Sequence, residues 1–154
     1  IMFPMIISMD ELLDAKAVVE ECKAELRAEG VAFDENIETG MMIETPASVM
    51  LAYEFAKEAD FFSIGTNDLT QYILAVDRGN KKIANKYDYF SPAVLRAIGH
   101  VIEAGHKEGI KVGMCGEMAG DQKAVNILLD LGLDEFSMSA GSIDYVREQI
   151  LNRE

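Results

Sequence analysis

The stretch FFSIGTNDLTQY, residues 61–72, decides the fold because it contains a change from strand to helix. A short apolar run ends at Gly65, and three polar residues, 66–68, follow it directly. The pattern predicts a buried strand over residues 60–65 and a short helix that begins near Asp68. Such a step from strand to helix is the repeating unit of a parallel α/β sheet.

The same step recurs on both sides of this stretch. Capping residues mark helix starts, as in Ser8 with Glu11 three residues later and in Thr45 followed by Pro46, and Gly30 marks a helix end. The predicted strands cover residues 1–7, 37–44, 60–65, 111–115 and 135–139. The predicted helices cover about 9–29, 46–59, 68–76, 92–108, 122–131 and 143–151.

Five strands that alternate with helices imply a parallel sheet with right-handed crossovers. Two architectures fit this pattern, an open doubly wound sheet and part of a (β/α)₈ TIM-type barrel. No glycine-rich fingerprint follows the first strand, which weakens a dinucleotide-binding version of the open sheet. A complete barrel needs about 250 residues, so this chain of 154 residues would supply about five of its eight strand–helix units, as one domain over residues 1–154.

Composition and charge exclude some classes of function. The formal net charge is −13 and the isoelectric point lies near 4.5, which excludes a general nucleic-acid surface. No run of about 18 apolar residues occurs, so we predict no membrane span. Cys22 and Cys115 lie far apart and lack a CxxC spacing, which favours a reducing cytoplasm over a disulfide scaffold. We interpret His100 and His106 as solvated helix residues that make a poor metal pair.

Polar side chains follow four of the predicted strands at the points where they end. These positions are Glu44, residues 66–68, residues 115–117 and Ser139. Because parallel strands present their C-terminal ends at one edge, we expect these side chains to line one rim. Glu44 and Asp68 can hold Mg²⁺, a hard ion that prefers oxygen ligands and shares them with substrate phosphates. Either acid could instead occupy the first turn of the next helix, where the helix dipole favours it.

Other side chains near this rim also have a binding and a structural interpretation. Asn67 is a common helix N-cap, and Arg78 could complement a helix C-terminus, although an arginine also suits a phosphate or carboxylate clamp. Cys115 could be a small core residue or a proton donor, since no histidine at a strand end would activate it as a nucleophile. We interpret Cys22, on a helix face, as core. The residues alone indicate an α/β enzyme fragment with a rim for Mg²⁺ and an anion.

Four segments carry a resemblance to a known family: IMFPM at 1–5, MIETP at 42–46, FFSIGTNDLTQY with AVDRGN at 61–72 and 75–80, and GMCGEMAGD at 113–121. They resemble Enzyme I of the bacterial phosphoenolpyruvate:sugar phosphotransferase system. The similarity is colinear and covers nearly the whole chain. Pyruvate phosphate dikinase and phosphoenolpyruvate synthase share the barrel and related motifs, but residues 77–80 and 120–121 favour Enzyme I.

The resemblance implies an activity and a role for each site residue. The activity is transfer of a phosphoryl group from phosphoenolpyruvate to a protein histidine, with release of pyruvate, as the first step of sugar phosphotransfer. Glu44 and Asp68 match the Mg²⁺ ligands of the family. Asn67 and Arg78, with Asp68 beside them, match residues that bind phosphoenolpyruvate. Cys115 matches the acid that protonates C3 of the enolate.

The resemblance also implies what this chain lacks. In the family the accepting histidine lies on a separate N-terminal domain, which meets the phosphocarrier protein HPr, and its motif is absent here. Further family arginines come from earlier barrel strands. Because the sequence opens at Ile1 inside an apolar strand, we expect a fragment that binds phosphoenolpyruvate weakly and transfers no phosphoryl group. We also expect self-association, since an open sheet has two unpaired edges, and the resemblance implies a cytoplasmic homodimer.

Two other functions fit the sequence less well. The chain could be the equivalent fragment of a dikinase or synthase, which an upstream ATP-grasp domain would reveal. It could also be a non-catalytic dimerisation module. A module of that kind would be expected to have lost Glu44, Asp68 or Cys115, and all three residues are present.

Overall fold

Five parallel strands form one sheet and lie side by side in the order in which they occur along the chain. The structure, a computed structural model, describes residues 1–153, so Glu154 at the end of the predicted domain lies outside the described residues. The strands are β1 (Met2–Phe3), β2 (Gly40–Ile43), β3 (Phe61–Gly65), β4 (Lys111–Cys115) and β5 (Glu135–Phe136).

The strand order distinguishes the two architectures that the sequence allows. An open doubly wound sheet reverses its strand order at a switch point, whereas neighbouring barrel strands follow one another along the chain. Among the described strands the order runs from β1 to β5 without a reversal. The chain therefore forms five consecutive strand–helix units of a barrel that it does not close, and the prediction of a partial (β/α)₈ barrel is confirmed.

Helices separate the strands, and none within residues 1–153 is long and apolar enough to cross a membrane. The predicted helix over 46–59 is divided at Leu51, whose φ of −101° and ψ of 14° are not helical. Two short 3₁₀ turns, Ala84–Lys86 and Glu117–Gly120, are not evident from the sequence pattern. The helices are α1 (Met9–Glu29), α2 (Pro46–Met50), α3 (Ala52–Phe55), α4 (Thr66–Leu74), α5 (Pro92–Lys107), α6 (Gln122–Asp130) and α7 (Ala140–Leu151).

The two edge strands are shorter than predicted. β1 ends at Phe3 because Pro4 has no N–H to donate and Met5 adopts a left-handed backbone with φ of 56°. β5 ends at Phe136, although the Ser137 N–H still donates to the Met114 carbonyl at 2.8 Å. Such short edges offer few free backbone groups, which limits the edge-to-edge pairing expected from the sequence.

Helix α1 begins and ends where the sequence predicts, but it buries little. The Ser8 hydroxyl accepts the Glu11 N–H at 3.3 Å, and Gly30 ends the helix in a left-handed conformation. Leu12 is its one buried residue, and Cys22 is exposed. The interpretation of Cys22 as core is therefore wrong. A helix beside the edge of an open sheet has apolar neighbours on one side only.

The hydrophobic core lies on one face of the sheet. Alternate side chains of β3 and β4 are buried against the helices on this face: Phe62, Ile64, Val112 and Met114. The intervening side chains line a cavity of about 400 Å³ on the other face, among them Phe61, Ser63 and Lys111. Within this chain the helices thus cover one face, and the other is the face that a closed barrel would enclose.

Two aspartates tie neighbouring strands together at the N-terminal end of the sheet. The Asp60 N–H donates to the Thr39 carbonyl at 2.9 Å, and the Thr39 N–H donates back to the Asp60 carboxylate at 2.6 Å. Asp134 makes the same reciprocal pair with Val112, at 3.0 and 2.8 Å. His106 Nε2 also lies 2.8 Å from the Asp134 carboxylate, so this histidine is not simply solvated, as its sequence position suggests.

The charge on Asp134 should stabilise the fold above acidic pH. Burial alone would raise the pKa of Asp134, but the Val112 N–H and His106 offset it and hold the pKa below its ordinary value. A carboxyl group whose pKa is lower in the folded state stabilises the fold at pH values above its ordinary pKa. This stabilisation is lost as the pH falls below about 4, through the pKa of the folded state.

We therefore expect Asp134→Asn to lower the unfolding free energy by about 1 kcal/mol at neutral pH. This value is modest because the side chain is 34% exposed and solvent screens it. The loss should be smaller near pH 3 than at neutral pH. Urea unfolding at both pH values measures it, with exposed Asp14→Asn as control. An equal loss at both pH values would contradict this account.

Candidate functional site

All five predicted site residues line one cavity, of about 190 Å³, at the C-terminal ends of β2, β3 and β4. We call it the rim cavity. Parallel pairing brings these ends together, with Ile43 beside Ile64 and Gly65 beside Cys115. The expectation that the acidic side chains and the thiol share one rim is confirmed. Its lining residues are Met42, Glu44, Gly65, Thr66, Asn67, Asp68, Arg78, Cys115 and Gly116.

Glu44 lies deep at the end of β2, with 4% of its surface exposed. One carboxylate oxygen accepts the Met5 N–H at 2.8 Å. Burial raises the pKa of Glu44 above its ordinary value, the Met5 hydrogen bond opposes this, and the Asp68 charge adds to it. Because Glu44 precedes Thr45, the N-cap of α2, it lies outside that helix, and its interpretation as a first-turn residue is wrong.

Asp68 lies in the first turn of α4, so the helix dipole favours its charge while its side chain lines the rim cavity. The two carboxylates of Glu44 and Asp68 are near enough for one to perturb the other. Among residues 1–153 no three histidine, cysteine or acidic side chains lie close enough together to hold a metal ion by themselves. The donor set nevertheless fits Mg²⁺, which binds through one or two carboxylates with waters and substrate phosphates completing its shell.

Asn67 is not a helix cap. Gly65 occupies the N-cap position of α4, and Asn67 lies inside the first turn. Its side-chain oxygen accepts the Glu117 N–H at 3.2 Å, across the gap between β3 and β4. Because the oxygen is engaged, the amide NH₂ is the group left to donate to a ligand in the rim cavity.

Cys115 is partly buried at the end of β4 and lines the rim cavity, so it is not a closed core residue. The Thr66 hydroxyl donates to its carbonyl at 3.0 Å. Gly116 follows with φ of 104°, and a Cβ there would lie 2.5 Å from the Thr66 oxygen. Sequence reasoning did not single out Thr66, although it stands between Gly65 and Asn67 in the deciding stretch.

Arg78 lies beyond the end of its helix rather than at it. Helix α4 ends at Leu74, and Ala75 closes it with a left-handed φ of 51°, so the interpretation of Arg78 as a helix C-terminal cation is wrong. The guanidinium lies 3.8 Å from the Glu117 carboxylate and lines the rim cavity. A half-exposed pair of this kind is weak, which leaves the arginine free to turn to an anion.

Two tyrosines support the loop that carries Arg78. The Tyr87 hydroxyl donates to the Asn67 carbonyl at 3.3 Å, and the Tyr89 hydroxyl donates to Asp121 at 2.7 Å. Their rings meet edge to face, 6.4 Å apart. The loop is therefore joined both to the first turn of α4 and to the start of α6.

Two other cavities lie near the same end of the sheet or beside it. One of about 500 Å³ adjoins the rim cavity, shares Asn67 and Cys115 with it, and extends to Ser139 at the start of α7. A larger groove of about 730 Å³ lies between α6 and α7, and none of the predicted site residues lines it. We place the site at the smaller rim cavity because the acidic pair and the thiol meet there.

Comparison with known proteins gives one consistent result. Over residues 1–154 the chain matches the model of a family described as PEP-utilising enzyme, PEP-binding domain. It is 60% identical, over 97% of its length, to the phosphoenolpyruvate-protein phosphotransferase of Priestia megaterium. It is 57% identical, over 99% of its length, to the one of Haemophilus influenzae. The chain spans about a quarter, 26%, of the length of these curated relatives.

A solved structure shares the fold at low sequence identity. A citrate lyase from Burkholderia xenovorans LB400 superposes with a TM-score of 0.68 and 19% identity. The match covers 99% of this chain and 49% of that chain. At this identity the likeness shows the fold alone.

Gly116 should tolerate a side chain less well than another glycine with a positive φ. Gly109 also has a positive φ, 78°, but an added Cβ there would meet nothing within 4 Å. We expect Gly109→Ala to cost about 1 kcal/mol of unfolding free energy from strain alone. Gly116→Ala should cost at least about 2 kcal/mol more, because φ of 104° with ψ of −175° is a conformation almost restricted to glycine and the added Cβ would also clash with Thr66. Urea unfolding measures both, and equal losses would show that the approach at Gly116 is not tight.

Proposed function

The chain belongs to the PEP-utilising enzymes and matches their PEP-binding domain, and on this premise we propose that it carries the metal-binding and proton-donating side of a phosphoenolpyruvate site. In the whole protein this site would transfer a phosphoryl group from phosphoenolpyruvate to a protein histidine and release pyruvate. The observation that supports this most directly is the single rim cavity lined by all five predicted residues. The names of the relatives support the same reaction.

Glu44 and Asp68 would hold Mg²⁺. The ion, when bound, would neutralise charge on the phosphate and on the enolate. Burial and the neighbouring Asp68 charge disfavour ionised Glu44, so the two carboxylates repel each other, and a bound cation would relieve that repulsion. The Met5 N–H holds one Glu44 oxygen in place, which restricts how the other can turn.

Asn67 and Arg78 would hold the anionic groups of the substrate. The Asn67 amide NH₂ is directed by the engagement of its oxygen with Glu117, so it donates rather than accepts. Arg78 would exchange its weak pairing with Glu117 for the substrate carboxylate or phosphate, to which its planar fork is suited. Both groups act by orientation and charge, which phosphoryl transfer chiefly requires.

Cys115 would donate a proton to C3. When the phosphoryl group leaves, the bond between phosphorus and the enol oxygen breaks, and its electrons remain on the enolate. A new C–H bond at C3 then takes the thiol proton and yields pyruvate. The thiol is partly buried at the rim cavity, where a neutral donor can face a small substrate.

The partners of the whole protein follow from the same proposal. The phosphoryl group would pass to a histidine outside this chain and then to the phosphocarrier protein HPr in the cytoplasm.

We also propose a homodimer, supported by large apolar side chains that are exposed near the ends of β1 and α2, Met5, Ile7 and Met50. Sedimentation velocity separates this from a monomer. A dikinase or synthase fragment is less favoured, because the relatives named above are protein phosphotransferases.

Binding of phosphoenolpyruvate to this chain should depend on Mg²⁺ and on the acidic pair. We expect a dissociation constant of about 1 mM or weaker, since the further family arginines lie outside this chain. A ³¹P NMR titration with and without Mg²⁺ measures it. Glu44→Gln and Asp68→Asn should abolish binding, whereas Glu25→Gln on the exposed face of α1 should not. Sub-millimolar binding would contradict the expected weakness, and binding unaffected by Glu44→Gln would contradict the site.

The role of Cys115 can be measured without phosphoryl transfer. The group that delivers a proton to C3 of the enolate also removes it from pyruvate in reverse. We expect the chain with Mg²⁺ to exchange the methyl protons of pyruvate in D₂O, and Cys115→Ala to slow this about 100-fold. Proton NMR follows the exchange, and Cys22→Ala serves as the matched control on the exposed helix. Equal rates in the two cysteine variants would exclude Cys115 as the proton donor.

A further inference from the structure

Thr66 occupies a special place where β3 meets β4. It is the first residue of α4 and is fully buried. The last residue pair between β3 and β4 joins Gly65 to Cys115. At this end of the sheet it is the Thr66 hydroxyl that donates to the Cys115 carbonyl, at 3.0 Å. A side chain therefore continues the connection between the strands where their register ends.

The neighbouring residue makes a second bond to the same segment. The Asn67 side-chain oxygen accepts the Glu117 N–H at 3.2 Å. The Cys115 carbonyl and the Glu117 N–H lie on either side of Gly116, so the two bonds bracket this glycine. Its φ of 104° and the 2.5 Å approach of an added Cβ to the Thr66 oxygen show how closely the segments meet. We call these two hydrogen bonds the rim clamp.

We propose that Thr66 is a positioning residue for Cys115, and that the rim clamp holds the thiol against the rim cavity. The hydroxyl fixes the carbonyl of the same residue that carries the thiol, so it restricts the direction of the Cα–Cβ bond. Without it, the Cys115 carbonyl loses this hydrogen bond, and the other side-chain bond to this segment is the one from Asn67 to the Glu117 N–H, beyond Gly116. The value of this position for proton donation rests on the proposed function, but the clamp itself does not.

Helix α4 also supplies a matched control, Thr70. This residue lies one turn after Thr66 and is likewise fully buried. Within residues 1–153 its hydroxyl makes no hydrogen bond of good geometry, although it lies near enough to the Tyr87 hydroxyl to lower the pKa of that group, which burial raises overall. Removing the two hydroxyls in turn therefore compares a buried threonine that binds the Cys115 carbonyl with one that does not.

The experiment measures the rate at which iodoacetamide alkylates Cys115. All variants carry Cys22→Ser, because Cys22 is exposed and would react as well. We expect Thr66→Val to raise the rate at least fivefold, since the thiol gains freedom. Thr66→Ser, which keeps the hydroxyl, should return the rate to within twofold of the parent. Thr70→Val should also stay within twofold. A Thr66→Val rate equal to the parent rate would overturn the proposal.

Two further measurements keep the outcome clear. If Thr66→Val does not fold, as judged by its urea unfolding midpoint, Thr66→Ala replaces it. In the parent itself the Glu117 amide should exchange with D₂O at least tenfold more slowly than an unstructured amide, and exchange at the unstructured rate would overturn the clamp.

A third arm separates the clamp from the proposed function. Phosphoenolpyruvate with Mg²⁺ should protect Cys115 from alkylation in the parent. Failure of this protection would count against the phosphoenolpyruvate site, whereas the Thr66 comparison without ligand decides the clamp alone.

Discussion

The pairing of β3 with β4 is the constraint on which the site depends. The two strands run parallel in register over five residue pairs, from Phe61 beside Lys111 to Gly65 beside Cys115. Successive side chains of a strand point to opposite faces, so a slip of one residue would turn Cys115 away from the rim cavity. The same slip would separate Thr66 and Asn67 from the backbone groups that they bind. Phe62 and Met114 are buried, and a slip would expose apolar side chains, so their burial opposes the slip.

Charge is the second organising feature of this rim. The proposed anionic substrate would face a chain with a net charge of −13, two of whose acidic side chains line the rim cavity. Burial raises the pKa of Glu44, and the charge of the neighbouring Asp68 adds to this effect. The proposed divalent cation would answer both problems, since it would neutralise the carboxylates and attract the anion. The nearby Arg78, which is only loosely paired with Glu117, adds the one cation that the rim itself supplies among the described lining residues.

The two ends of the sheet are built differently, and the difference can be read from particular residues. At the N-terminal end, Asp60 and Asp134 each make the same reciprocal pairing with a neighbouring strand, which joins the strands to one another. At the C-terminal end, the side chains of Thr66 and Asn67 add bonds to backbone groups at Cys115 and Glu117. Gly116, with no side chain, permits the close approach. The N-terminal end of the sheet therefore serves strand pairing, and the C-terminal end leaves room for a site. Parallel barrels commonly divide stability and chemistry between their two ends in this way.

The sequence alone determined the class of fold and the composition of the site. Strand β4 and the start of α2 match their predicted bounds, because apolar runs and caps depend on residues within one helical turn. Glu44, Asn67, Asp68 and Cys115 could be named because each lies at or just after the end of a strand, whereas Arg78 lies in the loop beyond α4 and was named for the chemistry of its side chain. The lengths of β1 and β5, the exposure of Cys22 and the division of the second helix at Leu51 depend on what packs beside them, which a local pattern does not contain.

Only the tertiary structure decided how the site residues act. Glu44 is held by Met5, 39 positions away, and Asn67 by Glu117, 50 positions away. Contacts at such separations follow from strand register and from the approach of two loops, and no periodicity in the chain records them. For the same reason the helix-capping interpretations of Asn67 and Arg78 were reasonable locally and wrong in the fold. Local patterns set which residues reach the rim, and packing between distant segments sets which of their atoms remain free to bind.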